Sequence, residues 1–184
     1  MAAASANSTE KVWDPLVRIS HWLLAASIVL AWYTRHRFGV WHEYLGYIAL
    51  VIVVIRICWG FAGPRYARFN HFVRPPGYTF NYTRSVISGT QTRYIGHNPL
   101  AGWMAVSLLT MTIMVCASGW LYTTDRFWGV EWVEELHNIM TYILLALVVL
   151  HICGAVFTSL HHRENLITAM IHGKKRAPGE NDII

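Results

Sequence analysis

Four histidines stand where histidine is expensive. His21, His42, His137 and His151 all fall inside long apolar runs of the 184-residue chain. An ionisable side chain in such a run is a functional candidate by default, and imidazole offers metal ligation or proton transfer. A single buried histidine is more often ordinary packing, but four at matched positions are harder to dismiss. His137 and His151 are 14 residues apart, about 21 Å of helical rise and nearly four turns. They therefore leave one helix from roughly one face, at two depths. The other six, His36, His71, His97, His161, His162 and His172, fall in loops, at helix ends or in the tail.

The composition says what must position these residues. Hydrophobic residues make up 54% of the chain and charged residues only 14%, against about 25% charged in a soluble domain. Nine tryptophans suit the membrane–water interface, where an apolar body and a polar tip are both satisfied. The net charge of +5 is spread over loops between apolar runs, which argues for membrane topology and against nucleic acid. Cys58, Cys116 and Cys153 lie within apolar runs with no C-x-x-C pattern. They read as small buried hydrophobes, not as covalent haem or zinc attachments. The start MAAASANSTEK has no basic region and no apolar core of its own, so the first apolar run is expected to be retained as a helix.

Four spans follow. The first begins at Asp14-Pro15 as cap and first helical residue and runs to Thr34. The second runs from Trp41-His42 to near Gly63-Pro64, the third from Asn98-Pro99 to Thr124, the fourth from Trp132 to about Leu160. Each approaches the ~20 residues needed to cross the hydrocarbon. The expected fold is an all-α integral membrane protein, a four-transmembrane-helix bundle over residues 13–172. Cytoplasmic tails are expected at 1–12 and 173–184, the latter disordered. The 64–97 connection suits either a short interfacial helix within 77–92 or an irregular loop.

Four spans put both termini on one side. Of the 15 Lys and Arg residues, that side receives all but Arg35, Arg37 and Arg126, so it is expected to be cytoplasmic. The opposite segment 125–135 carries Asp125, Glu131, Glu134 and Glu135, a face for a basic partner.

Helix direction turns the histidines into pairs. The first and fourth spans place His21 and His151 near the inner surface, and the second and fourth place His42 and His137 near the outer one. Two bis-imidazole sites stacked across a bilayer suit two low-spin haems that pass electrons and leave no open position. Zinc would want clustered Cys or carboxylate ligands, and none is in register. Ala25, Gly46, Thr141 and Ala155 stand four residues after the four histidines, leaving room for a porphyrin or simply for close helix packing. Candidate propionate partners are Arg18 and Arg56 for the inner haem and Arg35 or Arg37 for the outer. Snorkelling to lipid headgroups is the competing use of each.

These residues resemble a known pattern. The run Trp13-Asp14-Pro15…Arg18…His21-Trp22, the His42-x-x-x-Gly46 step, the Gly96-His97-Asn98-Pro99-Leu100 box, the His137/His151 spacing and His162-Arg163-Glu164-Asn165 are similar to the bacterial cytochrome b561 family. That family includes the b-type cytochrome subunits of nickel–iron hydrogenases and is similar to the membrane subunit of respiratory formate dehydrogenase. The likeness covers about residues 11 to 176. It implies a four-helix fold with two haem b groups on His21, His42, His137 and His151, set in the bacterial inner membrane. It also implies exchange with the quinone pool, which makes His97 and Asn98 candidate quinone contacts. Asn98 before Pro99 is equally a good helix cap.

Nothing in the chain supplies a hydrogenase or dehydrogenase active site. The expected role is therefore electron transfer between quinone and a partner redox protein, a hydrogenase-like enzyme or a periplasmic cytochrome, within membrane lipid. The alternative is a self-contained quinone-linked oxidoreductase of superoxide oxidase type. A third reading, a membrane anchor or transporter with structural histidines, needs no haem.

Overall fold

The computed structural model describes residues 8–36 and 39–184. Its elements in order are β1 (Thr9–Lys11), α1 (Pro15–Thr34), α2 (Gly39–Ala62), a 3-10 turn (Arg65–Ala67), α3 (Phe69–Phe72), α4 (Pro76–Ile87), α5 (Pro99–Tyr122), α6 (Glu131–His161), α7 (Leu166–His172) and β2 (Lys174–Arg176). The helices α1, α2, α5 and α6 are long and apolar enough to cross a membrane. Most of their side chains are not buried within the protein, as expected where lipid completes the apolar packing and each helix satisfies its own backbone.

Local chemistry sets the helix starts. Asp14 Oδ1 accepts the N–H groups of Leu16 and Val17 at 3.0 and 3.2 Å, with Pro15 at the first helical position. Asn98 repeats the device for α5, accepting Ala101 N–H at 2.8 Å. Each oxygen satisfies donors that a helix start would otherwise leave bare. In the 64–97 connection, α4 is a short helix and not an irregular loop. It buries Tyr82 and leaves Phe80 and Ile87 exposed.

The chain divides into two compact units. One comprises residues 19–58 and 105–150. In it Trp32 packs edge-on against Tyr142, and the Cys116 thiol donates to Gly46 O at 3.4 Å.

The other unit comprises, among the described residues, 8–18, 59–104 and 151–184. Its core gathers Val12, Trp13, Val17, Ala67, Ile95 and Ala169, with Trp59, Tyr66 and Met170 against them. Two expectations need correction here. The chain is mostly helical rather than all-α, because β1 and β2 form an antiparallel pair with Glu10 opposite Lys175. The segment 173–184, expected to be disordered, is built into the fold. Ile95 N–H donates to Ile183 O and Ile183 N–H to Arg93 O. The Arg93 guanidinium bonds both oxygens of Glu164 at 2.7 and 3.1 Å, pairs with Asp182 and donates to Arg176 O at 2.8 Å. Arg93 is 5% exposed, so its five donors must find acceptors within the protein. A polar, Lys/Arg-rich tail looks disordered until that buried partner, some 80 residues earlier, is known.

Gly173 links α7 to β2 in the left-handed conformation, φ 80°, which favours glycine. A Cβ there would also lie 2.6 Å from an Arg18 guanidinium nitrogen and 2.7 Å from Trp13 O.

Candidate haem and quinone sites

His42 lies on α2 and His137 on α6, both half-buried in the same unit. Their rings stand 6.1 Å apart between centroids, at 85°. Two imidazoles on opposite sides of one metal, with metal–nitrogen bonds of about 2 Å, have centroids about 6 Å apart. The Nδ1 atoms complete the arrangement. His42 Nδ1 lies 2.9 Å from Ala31 O, and His137 Nδ1 lies 3.1 Å from Val115 O and 3.1 Å from Ser118 Oγ. A carbonyl only accepts, so each Nδ1 carries the proton and each Nε2 keeps its lone pair for a metal. A metal-ligating histidine commonly has this outer hydrogen bond, which fixes both tautomer and ring orientation.

Space is provided as well. A Cβ built on Gly119 would lie 3.0 Å from His137 Cε1, so glycine admits the ring. A Cβ on Gly46, one turn after His42, would meet nothing within 4 Å. The residues present therefore fit a haem held between His42 and His137.

His21 is half-buried on α1 in the unit of residues 19–58 and 105–150, beside Trp22. His151 is half-buried on α6 in the other unit. Their pairing is an expectation from helix direction and depth. Arg18 donates to His172 O at 3.1 Å, closing the end of α7. Arg56 is a buried cation within α2, 9% exposed. Arg35 folds back on its own helix end, its guanidinium 3.4 Å from the Trp32 ring and 2.6 Å from Trp32 O. Arg37 falls outside the described residues.

His97 sits in the loop that enters α5, between Trp13 and Phe72, with ring centroids at 4.7 and 4.5 Å. Asn98 spends its carbonyl oxygen on the α5 cap, leaving its amide nitrogen for another contact.

Ala31, Val115, Ser118 and Gly119 were not singled out from the sequence. Three of them act through a backbone carbonyl or a missing side chain. Only the Ser118-Gly119 pair, a polar and a small residue inside an apolar run, left a trace.

The four apolar helices define a multi-pass membrane protein, and the His42 and His137 imidazoles suit a metal group held between them. The prokaryotic cytochrome b561 family model matches residues 12–173, and the chain belongs to that family. Relatives at low identity agree. A probable Ni/Fe-hydrogenase B-type cytochrome subunit of Bradyrhizobium diazoefficiens is 23% identical, over 91% of this chain and 86% of that protein. Its counterpart in Rhizobium leguminosarum bv. viciae is 22% identical over 89% and 87%. The one in Cupriavidus necator is 23% identical over 94% and 90%. No solved structure gives a significant match. The protein is a b-type cytochrome, with haem b as its cofactor and electron transfer as its work.

Proposed function

We propose that this cytochrome carries electrons across the bacterial inner membrane between the quinone pool and a hydrogenase-like partner on the outer side, using two haem b groups. The observation that carries the reading is the His42/His137 pair, with both Nδ1 protons committed and both Nε2 atoms left for iron. His21 and His151 are the ligands of the second, inner haem. Arg18 and Arg56 are its propionate contacts, and Arg35 or Arg37 serve the outer haem. His97 and Asn98 receive the quinone on the cytoplasmic side, where both termini lie.

Bis-imidazole haem supplies one-electron transfer with no open coordination position. The chain's own residues do the rest. Ala31, Val115 and Ser118 lock the ring tautomers, and Gly119 admits the His137 ring. The names of the relatives favour a hydrogenase as partner, and Asp125, Glu131, Glu134 and Glu135 offer it an acidic outer face.

Haem quantification with a reduced-minus-oxidised spectrum tests the reading. Two low-spin haems per chain are expected, oxidised by a short-chain quinone and reduced only when a hydrogenase is added. A colourless protein would refute it. Rapid turnover of superoxide by the isolated protein would put the self-contained oxidoreductase in its place.

A further inference from the structure

Lys175 is out of place for a lysine in a basic tail. It is 6% exposed, and its Nζ donates to Gly96 O at 3.3 Å, the carbonyl immediately before His97. Nζ also stands 5.5 Å from the Trp13 ring, and Trp13 packs edge-on against His97. The nearby carboxylates are occupied elsewhere. Glu164 is held by Arg93 and Arg176 N–H, Glu10 by the Tyr66 hydroxyl, and Asp182 by Arg93 and Gly179 N–H. Among the described residues, no carboxylate forms an ion pair with Lys175. The residue also lines an open groove of about 680 Å³ shared with Arg163, Thr168 and His172. One residue thus borders an open groove and, through its Nζ, touches the loop that carries His97.

We propose that Lys175 is the proton relay of the quinone reaction, passing protons between this groove and a quinone seated at the Gly96-His97-Asn98-Pro99 turn. The proposal rests on the quinone reading given above. Reduction of the quinone takes two electrons, supplied through the cytochrome by its reduced partner, and two protons. For each proton an Nζ–H bond breaks and an O–H bond forms on a quinone oxygen. The neutral amine then takes a proton from groove water. Quinol oxidation runs the same exchange in reverse.

Burial, more than the Arg93 charge, lowers the Lys175 ammonium to about 8, with Glu164 opposing the shift. A lysine so placed changes charge near neutral pH, as proton-transfer groups must. The ammonium is the donor, so quinone reduction slows as pH rises through about 8. The amine is the acceptor, so quinol oxidation speeds up over the same range.

The test uses haem-loaded protein, pre-reduced and mixed with a short-chain benzoquinone, with a pH-indicator dye reporting proton uptake. Lys175→Met is expected to slow uptake and haem oxidation by at least about tenfold, with the quinone KM within about twofold. Lys175→Arg keeps the charge and a donor for Gly96 O but holds its proton too tightly, and is expected to be equally slow. Added methylammonium should restore Lys175→Ala several-fold. A Lys175→Arg protein with the wild-type rate and pH profile would overturn the relay and leave a positioning cation. So would a wild-type reduction rate that stays flat from about pH 7 to 9, a result that needs no variant to fold. His97→Ala separates the two layers. An unchanged quinone KM would move the quinone site elsewhere and take the relay with it. A raised KM alongside unaffected Lys175 variants would remove the relay alone.

Discussion

The two units of this cytochrome satisfy their polar groups in different ways. Around His42 and His137 the hydrogen bonds are few and uncharged, to the backbone carbonyls of Ala31 and Val115 and to Ser118 Oγ. Helix carbonyls are already present in an apolar span, so a histidine or serine can be satisfied there without bringing in a second charge. In the unit that holds the 173–184 tail, the ties are charged and far apart in sequence. Arg93 pairs with Glu164 and Asp182, across 71 and 89 residues. Such clusters need an exact register. The unit of His42 and His137 is thus organised by helix geometry, and the unit of Arg93 by side-chain pairing.

The largest expected effect falls on the first region. His42→Ala and His137→Ala should each remove one haem of two, and the same one, while His21→Ala and His151→Ala remove the other. Haem content per chain checks this, and loss of the same haem from His21→Ala and His42→Ala would break the pairing.

Next comes the charged region. Arg93→Met leaves two part-buried carboxylates without their guanidinium, a change that approaches the roughly 3–5 kcal/mol of breaking a fully buried pair. Residues 164–184 should lose hydrogen-exchange protection while both haems remain. Loss of the outer haem instead would mean that the two regions are not separately organised.

The same region should respond to acid. The Arg93 hydrogen bonds hold the Glu164 carboxyl below its usual range against the opposing effect of burial. Asp182 is held down likewise, first by Gly179 N–H and then by Arg93. A depressed carboxyl stabilises the fold above its ordinary range, and that stability is lost as pH falls through its folded value. Tail protection should therefore disappear in acid before the haem spectrum changes.

Smaller effects separate space from ligation. Gly119→Ala places a methyl 3.0 Å from His137 Cε1, so it should turn the ring and shift the potential of the outer haem without emptying the site. Redox titration of the two haems would detect it. Asp14→Ala, which removes the α1 cap, should cost about 1 kcal/mol of thermal stability and leave both potentials unchanged.

The sequence by itself determined the spans. Apolar runs of the right length, opened by Asp14-Pro15 and Asn98-Pro99, have little choice but helix in a bilayer, and the ends lie within two or three residues of those expected. It also put His42 and His137 at one depth, because helical rise is a fixed length per residue. Tertiary structure decided what adjacency alone can decide. The Nδ1 partners are carbonyls that every residue carries, so no residue type marks them out. The clearance at Gly119 is set by a ring on another helix. The tail at 173–184 reads as disordered from its Lys, Arg, Pro and Gly, yet it is ordered by Arg93, Glu164 and Ile95, whose claim on it exists only once the chain has folded back.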